Sequence, residues 1–218
     1  MHIVLTDLLT CPRCGPEYGL ILLAERVEER RVLAGALGCS NCREKYRVSD
    51  GIAWLADPGD VGAGPGTARA QEDGAEGALR LGALMGITTG PGFMLVAGPG
   101  AAHAGAIARL IESVEVVVVE TLGAEAGLLP DTGPGTSRLV VGGGAARLPL
   151  AGGKLLGVAL TGAAADGLLE EGARVVSPVG RLVLDPAPAD AAVRLTAVRM
   201  RPLVEMDGVV VAGRDPRA

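Results

Sequence analysis

Residues 93–120 read FMLVAGPGAAHAGAIARLIESVEVVVVE. FMLVA is a short, wholly apolar run, as expected of a strand buried on both faces. The next stretch, GPGAAHAG, is a glycine-rich turn. The residues from Ala102 to Ser113 carry Ile107, Leu110 and Ile111 on one face of a helix. VEVVVVE, residues 114–120, is a second strand, apolar on both sides. Strand, turn, helix and strand in this order form a βαβ unit, which implies a parallel sheet with helices on its faces.

Working outward from this unit, the pattern repeats. Strands are predicted at SRLVVGG (137–143), KLLGVALT (154–161) and GRLVLDP (180–186). Helices are predicted at ADGLLEEGARVV (165–176) and across roughly Ala189–Val198. The end, PLVEMDGVVVAGR, reads as two strands around an Asp207-Gly208 hairpin turn, which adds antiparallel strands at one edge. Upstream, a helix is predicted from about Ala75 to Met85. Residues 57–74, DPGDVGAGPGTARAQEDG, have no apolar period and read as a linker.

The amino-terminal segment follows a different logic. Cys11, Cys14, Cys39 and Cys42 form two Cys-x-x-Cys pairs and are the only cysteines in the chain. Two such knuckles supply the four soft ligands of a closed tetrahedral zinc site. The 24 residues between Cys14 and Cys39 are accommodated by a hairpin, since LILLAERVEERRVLAGALGC (20–39) places apolar runs on both sides of a charged block. A short helix across Arg26–Leu33 is the alternative there. KYRVSDGIAWL (45–55) reads as a strand, a turn at Asp50-Gly51 and another strand. Two disulfides are the alternative use of the cysteines and need an oxidising compartment. The start MHIVLTDLLT has neither the basic region nor the long apolar run of a secretion signal.

The expected architecture is α/β: a small β-rich zinc ribbon over residues 1–56, the linker 57–74, and a Rossmann-like doubly wound sheet over 75–218 with a C-terminal antiparallel hairpin. Aromatic residues make up only 2% of the chain, so its core must be aliphatic. A net charge of −5 argues against a broad nucleic-acid footprint. Arg26, Arg30 and Arg31, and Arg194, Arg199 and Arg201, read as solvated faces. No apolar run reaches the ~18–20 residues needed to span a bilayer, and the chain is expected to be cytoplasmic.

FMLVAGPGAAHAGAIARL resembles the first motif of class I S-adenosylmethionine-dependent methyltransferases, and VEVVVVE, ending in Glu120, their second strand. VVGGGAARLPLAGGKLLGVAL (140–160) and ARVVSPVGRLVLDP (173–186) resemble their later segments in the same order. The likeness covers residues 78–214 or so. LLTCPRCG (8–15) and LGCSNCREKYRVSDGIAWL (37–55) resemble the Trm112-like zinc-ribbon family, whose members activate methyltransferases as separate partners or are fused to them. The ribbon resemblance implies zinc on Cys11, Cys14, Cys39 and Cys42, and it implies a protein partner or self-association.

The methyltransferase resemblance implies S-adenosylmethionine at Gly98 and Gly100, with Glu120 accepting hydrogen bonds from its ribose. Several positions depart from that pattern. Leu95, Val96 and Ala97 stand where an acid usually precedes the glycine turn. Gly144 stands where an Asp meets the adenine, and Leu156-Gly157 stands where the fourth strand often opens with an acid. Three lost contacts at roughly 0.5–1.5 kcal/mol each would weaken binding about a hundredfold or more. The expected function is therefore a non-catalytic scaffold or partner subunit, with an active methyltransferase as the alternative. A dinucleotide-binding enzyme is disfavoured, because Ala102-His103 follows where the third glycine of G-x-G-x-x-G is required. His103 reads as a helix-start residue rather than a base, and Asp185 as a candidate at the rim of the sheet. Asp166, Glu170 and Glu171 read as structural acids at a helix start.

Overall fold

The structure, a computed structural model, describes residues 1–56, 74–121, 133–142 and 147–215. After a 3₁₀ turn, Ile3–Leu8, the chain forms β1 (Thr10–Cys11), β2 (Gly15–Glu28), β3 (Arg31–Cys39), β4 (Lys45–Ser49) and β5 (Ile52–Leu55). Next come α1 (Gly74–Met85), β6 (Gly92–Ala97), a 3₁₀ turn (Pro99–His103), α2 (Ala104–Leu110), β7 (Val114–Thr121) and β8 (Thr136–Val141). The last part contains β9 (Leu155–Thr161), α3 (Ala163–Gly167), α4 (Leu169–Val175), β10 (Val176–Asp185), α5 (Ala191–Ala197), β11 (Met200–Met206) and β12 (Val209–Arg214).

Residues 20–39 form a hairpin and not a helix. Glu29 and Arg30 both take left-handed φ values, 44° and 65°, and so make the tight turn that matches strand twist. The helix expected over Ala102–Ser113 is shorter than its sequence pattern. It begins as a 3₁₀ turn, and Ile111 is already extended with φ −116°. Ser113, at φ 60°, turns the chain back toward β7. Ile107 and Ile111 are buried as expected, but Leu110 is 56% exposed because the helix stops there.

The described residues form one mixed sheet of 12 strands in the order β1-β2-β3-β4-β5-β8-β7-β6-β9-β10-β12-β11. The run from β5 through β8, β7, β6 and β9 to β10 is parallel, and both flanks are antiparallel. This mixed, partly parallel sheet carries helices on both faces, which is the α/β class expected from the sequence. The terminal hairpin turns at Asp207-Gly208 as the sequence indicates, with β12 lying between β10 and β11.

The amino-terminal strands join the rest of the sheet through β5. Ile52, Ala53, Trp54 and Leu55 pair in parallel with Arg138, Leu139, Val140 and Val141 of β8. One hydrophobic cluster covers one face of the sheet from Leu5, Leu9 and Val32 through Leu139 to Leu195. A second covers the other face, where α1 and α2 pack Leu81, Met85 and Ile107 onto Met94, Val96 and Val118. Each such side chain is worth about 1.5–3 kcal/mol when removed from water, so the shared cluster holds the ribbon to the second half.

Polar contacts fix the register of this junction. Arg31 forks onto the carboxylate of Glu115 and donates to the Thr136 carbonyl at 2.8 Å. Ser137 donates to the same carboxylate at 2.6 Å and accepts the His2 N–H at 2.8 Å. Arg31 is therefore a clamp between ribbon and sheet, and the expectation of a solvated face fails at this position. On the same face, Thr10 N–H donates to the Pro149 carbonyl and Ala151 N–H to the Leu8 carbonyl. Arg174 and Glu171 of α4 cradle the same strip through the Leu148 and Leu150 carbonyls and the Leu148 N–H.

Candidate functional site

The four cysteines converge. Cys11 and Cys14 flank the turn between β1 and β2, which closes on Gly15 at φ 102°. Cys39 ends β3, and Arg43, at φ 63°, donates its N–H to the Cys39 carbonyl, folding Cys42 back. All four sulfurs lie within 4.8 Å of one another. The Cys11–Cys42 separation is 3.7 Å and the Cys14–Cys39 separation 3.8 Å. A disulfide would need about 2.05 Å. A tetrahedron with zinc–sulfur bonds of 2.3 Å has edges of about 3.8 Å. The donor set and spacing therefore fit a divalent, thiophilic ion such as zinc, and the disulfide alternative does not describe this geometry.

The surroundings suit a charged cluster. Asn41 Nδ2 donates to Cys14 Sγ at 3.3 Å, and the Cys14 N–H donates to Cys11 Sγ at 3.4 Å. The hydroxyl of Tyr46, itself buried, lies 3.6 Å from Cys11 Sγ. Burial acts to raise the Cys39 thiol, but the N–H groups of Cys42 and Asn41 outweigh it and bring it down to about 7. The Glu44 N–H acts to lower Cys42, yet burial and the neighbouring thiols prevail and push it up to about 12. Four crowded sulfurs cannot all ionise when protons alone balance the charge. A bound cation removes that conflict, which couples metal binding to folding. An ion held by all four cysteines would have no open position for chemistry, as in structural zinc sites.

The second candidate site is the glycine turn after β6. The strand order reverses between β6 and β9, where open α/β sheets form ligand crevices. Here the carboxyl ends of β6, β9 and β10 border a cavity of about 320 Å³ lined by Arg80, Leu81, Gly100, His103, Thr161 and Asp185 among others. Gly98 has φ 80°, and any side chain there would run into the Thr161 carbonyl. A Cβ on Gly100 would lie 2.8 Å from Thr161 Cγ2 and 3.2 Å from Leu81 Cδ1. The Gly100 N–H donates to Thr161 Oγ1 at 2.7 Å, and that hydroxyl donates to the Ala97 carbonyl at 2.8 Å. Both glycines are thus required by contacts within the chain.

Glu120 lies at the end of β7, as its sequence position implies. Its carboxylate takes both arms of Arg138 from the neighbouring β8, each at 3.0 Å, and both side chains are largely buried. Asp185 sits at the cavity rim and accepts from Arg80 of α1 at 2.7 Å. His103 stands at the N-cap position of α2, as its reading as a helix-start residue expects, but its side chain makes no capping hydrogen bond. Its ring packs against Gly77 of α1, and its buried Nδ1 has no hydrogen-bond partner. Leu95, Val96 and Ala97 are buried in the strand. Gly157 faces Met85 and Ile87, so the end of α1 occupies the place beside β9 where the acid was missed. Gly144, most of the linker 57–74 and residues 122–132 lie outside the described residues.

Asp166 and Glu170 bind Arg194 of α5, and Glu171 binds Arg174, so these acids are structural as read. Sequence reasoning missed Thr161, Arg138 and Arg80. Thr161 and Arg80 act through contacts 61 and 105 residues away in the chain, and Arg138 through the register of two neighbouring strands, so no local pattern marks them.

No protein-family model and no curated protein matches this sequence. Among solved structures, the chain is similar to one from the complex between the Haloferax volcanii Trm112 methyltransferase activator and a protein named there as a methyltransferase. The identity is 15%, the match covers 65% of this chain and 89% of the other, and the TM-score is 0.46.

Proposed function

We propose that this chain is a zinc-ribbon protein, ribbon over 1–56 and methyltransferase-like half over 75–218, that works as a non-catalytic scaffold or partner subunit. The observation that carries this reading is the Thr161 hydroxyl on the Gly100 N–H. In the family that the sequence resembles, that turn meets the carboxyl end of S-adenosylmethionine. Here its donor is already bonded within the chain. Glu120, the ribose acceptor by resemblance, is committed to Arg138. Freeing it would leave a buried guanidinium unpaired at about 3–5 kcal/mol, or roughly two to three and a half powers of ten in affinity. Zinc on the four cysteines would stabilise the ribbon and hold β5 against β8. Four reduced thiols fit a cytoplasmic setting.

Isothermal titration of the zinc-loaded chain with S-adenosylmethionine tests the proposal. The expected result is no saturable heat, and a micromolar Kd would overturn it. The second reading, an active methyltransferase, is favoured by the cavity of about 320 Å³ at the sheet's reversal point.

A further inference from the structure

The described sheet ends in two edges of different construction. At the β11 edge stands Pro202, which has no N–H to offer another strand, and the register shifts between Pro202 and Val204. Arg201 and Glu205 flank that shift. Proline, a bulge and charge are the features that blunt a strand edge against pairing.

The β2 edge lacks them where it is most apolar. β1 covers only its start, pairing Thr10 with Gly19 and Cys11 with Gly15. From Leu20 to Ala24 the chain reads Leu-Ile-Leu-Leu-Ala. The register shifts of β2 against β3 and the charges Glu25, Arg26 and Glu28 come after Ala24, and the irregular pairing with β1 ends at Gly19. Ile21 is 58% exposed and Leu23 51%. Among the described residues, no strand pairs with the outer side of Leu22–Ala24.

The direction of the free backbone groups follows from the neighbours. The Leu20 N–H points outward, since it donates to the Leu9 carbonyl at 3.1 Å. Its partner across β3, Cys39, sends its own N–H the other way, to Glu44 at 2.9 Å. By alternation Leu22 and Ala24 also present their N–H and C=O groups outward. An antiparallel copy of the same strand, with its two-fold axis through Leu22, meets these groups in register. Leu22 then exchanges two hydrogen bonds with its own copy, and Leu20 opposes Ala24. On the exposed face Ile21 opposes Leu23. Moving the axis to Ala24 would set Leu23 against Glu25 and Leu22 against Arg26, so the apolar pattern selects Leu22.

We propose that a second copy of this chain adds to the β2 edge, antiparallel and centred on Leu22, joining two sheets into one. The proposal is independent of whether the glycine-turn cleft binds a cofactor. The contact is short, so the dimer is weak and concentration-dependent.

Sedimentation velocity of the full zinc-loaded chain over a wide concentration range tests it, alongside the variants Ile21→Lys/Leu23→Lys and Ile21→Glu/Leu23→Glu. Both positions are exposed, and circular dichroism with zinc content checks that the variants fold. The wild type is expected to pass from monomer to dimer. Each variant alone stays monomeric, because like charges oppose one another, and an equimolar mixture of the two recovers the dimer. Ile21→Thr/Leu23→Thr keeps strand propensity and is expected to weaken the dimer at least about tenfold, which serves if a charged variant fails to fold. A wild type monomeric throughout, a dimer that survives in either charged variant alone, or a mixture that stays monomeric would each overturn the proposal.

Discussion

The cysteine cluster and the glycine turn were both visible as motifs, and they ended differently. At the cluster, four sulfurs lie within 4.8 Å of one another, two pairs of them at 3.7 and 3.8 Å, with no cation among their protein partners to balance them. At the turn, the Gly100 N–H and the Glu120 carboxylate are each bonded to a side chain from another strand. The first arrangement is complete only with something added. The second is complete without it. A motif names the atoms that reach a site, and their hydrogen-bond partners decide whether a ligand is still needed.

The sharpest way to break this contrast is to remove the metal. Structural zinc sites contribute about 10–16 kcal/mol of apparent binding free energy, which is folding energy for the ribbon. Strong chelation, or Cys39→Ser, is expected to unfold residues 1–56. Trp54 is the only tryptophan and stacks under Arg47 at 5.1 Å, so its fluorescence reports the loss directly. Unchanged emission after verified metal removal would mean that the sulfurs need no ion.

Next in size is the buried pair at β7–β8. Glu120→Ala is expected to destabilise the chain by about 3–5 kcal/mol, because Arg138 is left charged and dry. Glu120→Ala/Arg138→Met is expected to regain most of that in a denaturant double-mutant cycle. If Glu120 were kept for a ligand, the single substitution would leave stability almost untouched.

Thr161→Val probes the turn itself. It strands the Gly100 N–H and the Ala97 carbonyl at about 1–3 kcal/mol each, whereas Thr161→Ser keeps both bonds and is expected to cost little. Equal effects of the two substitutions would show that the hydroxyl is not the element holding the turn.

The smallest expected effect lies on the α4–α5 surface. Hydrogen bonding from the Arg194 side chain holds the Glu170 carboxyl below its ordinary value. A carboxylate held down in the folded state contributes stability above its unfolded pKa and loses it as pH falls through the folded one. Glu170→Gln should therefore lower the Tm slightly at neutral pH, and its difference from wild type should vanish in acid. The pair is half exposed, so the effect stays under about 1 kcal/mol.

Most of the strands were legible because apolar runs such as Val116–Val119 admit no other reading at that length. The hairpin of residues 20–39 was legible only as one of two options. The choice fell to Glu29 and Arg30 accepting left-handed backbone, which residue type alone does not announce. The cysteine site was legible because all four ligands are marked by side-chain chemistry. The turn was legible as a turn, but Thr161 lies 61 residues beyond Gly100 and reaches it only through the β6–β9 pairing. The same is true of Arg31, which read as a surface charge until Glu115 came within reach across the sheet.

The Gly100 amide offers the most direct test of the central claim. Its NMR signal, followed in the zinc-loaded chain while S-adenosylmethionine is added, should stay in place and its proton should remain slow to exchange. A saturable shift of that signal at micromolar cofactor would show that Thr161 yields its bond to a ligand, and the account of a self-satisfied turn would be wrong.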